Sequence, residues 1–150
     1  IEKELFTVAT GEVIALTDVN DPVFSQKMMG DGFAVIPATG EVTAPLSGKI
    51  VSVFPTKHAI GMQTAEGAEV LIHMGLDTVQ MSQPAFEILV SEGQEVVAGT
   101  TIAQMNLDAI KNEGKETTII VVFTDDKVNG LTINKLGDTE RGTVIGKINL

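Results

Sequence analysis

Short apolar or alternating runs, each closed by glycine, proline or asparagine after about eight to twelve positions, limit this chain more than any other feature. A helix needs apolar residues recurring at three and four positions over several turns, and that periodicity is scarce here. The strands expected are Gly11 to Leu16, Gly32 to Pro37, Gly40 to Ala44, Gly48 to Phe54, Ile60 to Thr64, Glu69 to Met74, Ala85 to Val90, Thr101 to Met105, Thr117 to Phe123 and Gly142 to Lys147. Together they predict an all-β chain, an antiparallel sandwich or barrel-like domain, with one or two short helical turns. Asn106 to Asn112, capped by Asn106, is the first such turn and Val23 to Met29 the second.

A chain of 150 residues, 43% of them hydrophobic, has material for one core. No low-complexity linker divides it, so residues 1–150 are expected to be one domain. Twenty acidic against ten basic residues give a net charge of -10, which disfavours nucleic acid and anionic lipid and favours basic protein partners. The absence of cysteine excludes disulfides and thiolate zinc sites, and it fits a reducing compartment, with the cytoplasm as the expectation. No apolar stretch approaches the roughly 20 residues of a membrane helix. The opening at Ile1, without methionine, fits a domain cut from a longer protein.

Polar chemistry is confined to few side chains. There are two histidines and neither cysteine, tyrosine nor tryptophan, so a nucleophile is His58, His73, a hydroxyl or a carboxylate. His73 ends an apolar strand in Val70 to Val79, four residues before Asp77, and His58 lies in the segment Thr56 to Gly61. A turn centred on Ala65-Glu66 sets His58 directly across from His73 on one sheet face. A slip of one residue puts them on opposite faces, and Ile60 and Met62 against Val70 and Ile72 are compatible with either register. Two imidazoles, the Thr56 hydroxyl and the Asp77 carboxylate then support two chemistries, a zinc site or phosphoryl carriage on a neutral imidazole. Spacing does not choose between them.

Three blocks carry a resemblance: Asp21 to Gly32 (DPVFSQKMMGDG), Thr43 to Ile60 (TAPLSGKIVSVFPTKHAI) and Glu69 to Val79 (EVLIHMGLDTV). In this order they resemble the glucose-family IIA components of the bacterial sugar phosphotransferase system, and the likeness runs over nearly the whole chain. The resemblance implies an antiparallel β sandwich whose phosphoryl acceptor is His73, with His58 as its supporting neighbour and the Thr56 hydroxyl orienting that ring. It implies that Asp21 and Asp77 flank the depression and meet positively charged partner residues, and that Val23, Phe24, Phe54, Leu71 and Val79 form its apolar rim. Met74, standing where relatives carry an aromatic, and Gly61, where larger residues occur, are expected to alter that rim. The phosphoryl donor implied is the small histidine phosphocarrier HPr, and the acceptor is the cysteine of a sugar-specific IIB domain. No cofactor or metal is implied, only a covalent phosphohistidine, and the membrane enters indirectly through a permease.

Two rival readings come from other classes. Glu92 to Met105 (EGQEVVAGTTIAQM) is similar to the hammerhead hairpins of biotinyl and lipoyl carrier modules, although no convincing lysine stands at its tip. A zinc hydrolase built on His58, His73 and Asp77 is the other.

Overall fold

Five consecutive apolar residues, Ile119–Phe123, are all buried, which a strand allows only when both of its faces are covered. The computed structural model describes residues 1–150. Its strands are β1 (Glu2–Phe6), β2 (Gly11–Ala15), β3 (Asp31–Pro37), β4 (Glu41–Thr43), β5 (Gly48–Val53), β6 (Ala59–Gln63) and β7 (Glu69–Met74), then β8 (Phe86–Ile88), β9 (Glu95–Val96), β10 (Thr101–Met105), β11 (Ile119–Phe123), β12 (Gly130–Ile133), β13 (Gly137–Thr139) and β14 (Val144–Asn149). Two short helices interrupt them, α1 (Pro22–Ser25) and α2 (Leu107–Asn112), with a 3-10 turn at Leu16–Asp18.

The central sheet has eight antiparallel strands in the order β13-β2-β3-β11-β7-β6-β5-β9. Two three-stranded sheets, β1-β14-β12 and β4-β10-β8, complete the antiparallel β fold. One core joins all three sheets: Leu5, Val42, Ile102 and Ile145 pack with Phe33, Ile72, Ile119 and Val121. The opposite face of the central sheet carries a smaller cluster in which Leu16, Val19 and Phe24 cover Ala34, Ile120 and Val122. β11 is thus covered on both sides, and its unbroken apolar run follows.

Asp21 starts α1 by accepting a hydrogen bond from the Val23 amide at 2.9 Å, with Pro22 as the first helical residue. Asn106 caps α2 as expected, accepting from the Ala109 amide at 3.0 Å. β1, on a sheet edge with one fully buried residue, was not among the expected strands, and neither were β9, β12 and β13. The last three are two to four residues long and largely exposed at the margins of their sheets, so they carry little apolar signal. The hammerhead hairpin does not form, because β9 pairs with β5 in the central sheet while β10 pairs with β4 and β8 in another.

Candidate functional site

Alternation along β7 decides where His73 points. Val70, Ile72 and Met74 face the main core, which leaves Leu71 and His73 on the outer face. In register across the sheet, His73 lies between Ala59 of β6 and Ile120 of β11, and Ile120 is followed by Ala34 and Ile14. The imidazole is therefore the one polar group in a row of aliphatic side chains. The ring of buried Phe24 packs on it, with centroids 5.2 Å apart.

Beyond β7 the chain turns sharply, and the turn fixes the protonation of the ring. His73 Nδ1 lies 2.8 Å from the Gly75 carbonyl oxygen. A carbonyl can only accept, so Nδ1 carries the hydrogen and Nε2 keeps its lone pair. That carbonyl is held in turn, because Gly75 and Leu76 donate to the Thr118 and Glu116 carbonyls at 2.8 and 3.0 Å. Only glycine suits position 75: its φ is +84°, and a Cβ there would lie 2.4 Å from Thr78 Cγ2. The Thr78 hydroxyl closes the turn by donating to the Met74 carbonyl at 2.6 Å.

His58 reaches the same place by an irregular route. Ala59, not His58, stands across from His73, since the hairpin turn is the three-residue loop Ala65-Glu66-Gly67, with Thr64 and Ala68 closing it and Gly67 at φ +93°. The register is therefore the one-residue slip. His58 precedes the first residue of β6 and is released from its alternation by Lys57, whose φ is 62°. The two imidazole centroids end 4.9 Å apart with ring planes at 78°. Thr56 Oγ1 hydrogen-bonds His58 Nδ1, and Phe54 packs edge-on to the ring at 5.6 Å. His58 itself is 6% exposed.

Burial pushes both imidazoles below their ordinary pKa. For His73 the charge on a protonated His58 adds to that depression, while the Gly75 carbonyl and the carboxylates of Asp21 and Asp77 act against it. At neutral pH the site therefore presents two neutral rings. Asp77 is exposed and left-handed at φ 59°, in the turn that follows His73. With Lys27 and Lys57 it completes the non-glycine residues of positive φ. Lys27 lies just beyond Gln26, the C-cap of α1, the helix that packs on His73, and the other two adjoin the histidine segments, so backbone strain of about 1–2 kcal/mol per residue gathers in the segments that build the site.

Of the expected rim, Val23, Phe54 and Val79 are exposed, Leu71 is half-buried, and Phe24 lies beneath as part of the floor. Met74 is not a rim residue at all: it is fully buried in the main core, on the face of β7 away from His73. Gly61 is buried where a Cβ would lie 2.4 Å from Ser52 Oγ. Two depressions adjoin the pair, one of about 350 Å3 lined by Met29, Val51, Phe54 and Leu71, the other of about 330 Å3 lined by Thr56, Val79 and Met81. A third depression, about 420 Å3 between Lys3, Ser47, Lys49, Gln63 and Glu95, lies elsewhere, and neither histidine lines any of the three. No three His, Asp or Glu side chains converge as metal ligands, so the zinc-hydrolase constellation is not assembled. Gly75 and Met29 were not among the expected site residues. The glycine two places after His73 was the available signal for the first, whereas Met29 has none without the fold.

A family model described as phosphoenolpyruvate-dependent sugar phosphotransferase system, EIIA 1, matches residues 3–128. The chain is 48% identical over its whole length to a glucose-specific EIICBA component of the phosphotransferase system from Streptococcus pneumoniae, of which it spans only 21%. It is 46% identical to a glucose-specific EIIA component from Staphylococcus aureus, over 81% of this chain and 73% of that protein. The solved structure of glucose permease IIA from Mycoplasma capricolum superposes with a TM-score of 0.92 at 37% identity, covering 98% of this chain and 96% of that one.

Proposed function

The chain belongs to the EIIA 1 family of the phosphoenolpyruvate-dependent sugar phosphotransferase system, and from that premise we propose that it carries a phosphoryl group on Nε2 of His73. One observation supports this above the others: the Nδ1 hydrogen of His73 is engaged by the Gly75 carbonyl, leaving Nε2 as the nucleophile. Burial keeps the ring unprotonated at neutral pH, and a neutral imidazole is both nucleophile and, later, leaving group.

In this reading the Nε2 lone pair attacks the phosphorus of a phosphohistidine on the donor HPr, and the donor imidazole departs as the new N–P bond forms. Onward transfer reverses the roles. The cysteine thiolate of a IIB domain attacks, the N–P bond breaks, and His73 regains its neutral ring. With the Thr56 hydroxyl donating to its Nδ1, His58 carries its hydrogen on Nε2 and donates it to a phosphoryl oxygen. The site itself supplies no fixed cation to the phosphoryl group, so the phosphoenzyme is not over-stabilised and transfer potential is kept. Asp21 and Asp77 meet basic residues of the partner, and the exposed Val23, Phe54 and Val79 make the apolar contact. No metal or cofactor enters. Glucose is the sugar carried over from the relatives' names, although selectivity among sugars resides in the IIB and membrane components.

The test mixes the chain with phosphoenolpyruvate, enzyme I and HPr, then maps the label. An acid-labile phosphate on Nε2 of His73, absent from His73→Ala, is expected. Normal labelling of His73→Ala, or an acid-stable phosphate, overturns the proposal.

A further inference from the structure

Without cysteine, this chain has thioethers as its only oxidisable sulfur, and the fold distributes its six methionines unevenly. Met62, Met74 and Met105 are 1%, 0% and 6% exposed, and Met81 is half-buried against the core. Met28 and Met29 are 70% and 39% exposed. Both lie in the loop after α1, where Met28 donates its amide to the carbonyl of the exposed rim residue Val23 at 3.0 Å. The Met29 side chain lines the cleft shared with Phe54 and Leu71, and Phe54 is the residue that packs on the His58 ring. The two exposed thioethers thus lie together in the loop between α1 and β3, with Met29 in the cleft beside the histidine pair, while Met81 is partly shielded.

We propose that Met28 and Met29 form an oxidation site through which hydroperoxides weaken phosphoryl transfer by this chain. The inference rests on the reading that this face receives the phosphoryl partners. In the reaction the thioether sulfur attacks one oxygen of a hydroperoxide, the O–O bond breaks and an S–O bond forms. The other oxygen leaves as water or an alcohol after taking the proton. Sulfur is oxidised by two electrons and the peroxide is reduced, so no further reactant is needed. A flexible apolar side chain becomes a polar one at a place where a partner must exclude water. A sulfoxide oxygen covered by an apolar partner surface lacks the hydrogen bonds it had in water, which raises the apparent KM roughly tenfold. The histidines are untouched, so the reaction at saturating partner is preserved. Reduction of the sulfoxide restores the original surface.

The protein is treated with millimolar hydrogen peroxide, its sulfoxides are located by peptide mass spectrometry, and transfer from phospho-HPr is measured before and after. Conversion of Met28 and Met29 ahead of Met62, Met74 and Met105 is expected, with the rise appearing in KM and not in kcat. Treatment with methionine sulfoxide reductases for both epimers should reverse it. A Met28→Leu, Met29→Leu protein, compared with its own untreated rate, should lose little on the same exposure. If both sulfurs convert fully and the KM stays unchanged, the inference fails while the transfer reading stands. If the double variant is inhibited as strongly as the parent, the inhibitory lesion lies elsewhere and the inference fails. An untreated protein that accepts no phosphate overturns the transfer reading and this one with it.

Discussion

Replacing Gly75 with alanine tests whether the tautomer of His73 is set by the backbone. The added methyl group meets two obstacles: a left-handed φ of +84°, and a Cβ position 2.4 Å from Thr78 Cγ2 and 3.1 Å from the Glu116 carbonyl oxygen. The first costs about 1–2 kcal/mol and the second about 1–3, so a loss of about 2–5 kcal/mol is expected. Against a typical total of about 5–15 kcal/mol the protein remains largely folded in the cold. Relief of the clash moves the Gly75 carbonyl off His73 Nδ1, now 2.8 Å away. A hydrogen bond of about 1 kcal/mol is worth roughly fivefold in the ratio of the two tautomers, and only the one with Nε2 unprotonated can attack phosphorus. Phosphoryl acceptance should therefore slow by up to about fivefold at saturating donor, with KM little changed. Rapid quench at low temperature measures the rate, circular dichroism confirms folding, and nitrogen NMR of the ring reads the tautomer. A folded variant that holds the Nε2-protonated form yet reacts at the parental rate would refute the reasoning.

Four further outcomes follow from the same geometry. His58→Gln should still accept phosphate from HPr but pass it to a IIB domain about 10² to 10³ times more slowly, as expected for one lost donor to the transition state; wild-type onward transfer in a rapid-quench assay would remove the supporting role of His58. His73→Gln should do neither. Asp21→Asn with Asp77→Asn keeps the cap and tolerates the left-handed turn, yet removes both charges that raise the His73 pKa; its NMR titration midpoint should move further down, and the KM for the donor should rise at low salt and converge with the parent at high salt. Finally, both histidines bind protons less readily folded than unfolded, so their contribution to stability is complete above the unfolded pKa near 6.5. It is lost as pH falls from there through the depressed folded values, by about 1.4 kcal/mol per unit of depression, and denaturant melts of His58→Gln should show a shallower decline over that window.

What the sequence determined by itself is the local grammar. β7 and β10 occupy the residues expected of them; in β7 alternation between a core and an outer face is written directly into Glu69–Met74, whereas in β10 the neighbours Ile102 and Ala103 are both buried in the core. The α2 cap was equally legible, since Asn106 acts on an amide three residues away. The importance of His58, Thr56 and His73 could be read from the scarcity of reactive side chains and from the motif blocks. Their geometry could not. The hairpin register depends on which residue takes the left-handed turn position, and Gly67 takes it, putting Ala59 across from His73. A strictly alternating strand would then have turned His58 away. It is the turn at Lys57, outside that strand, that brings the two rings to 4.9 Å. Tertiary structure alone also assigned Met74 to the core, Phe24 to the floor and Met29 to the cleft, because each assignment depends on which face a distant helix or strand covers. The free Nε2 of His73 was decided in the same way: the segment leading into β11 grips the turn after β7 through the Thr118 and Glu116 carbonyls, forty or more positions along the chain, and so places the acceptor for Nδ1.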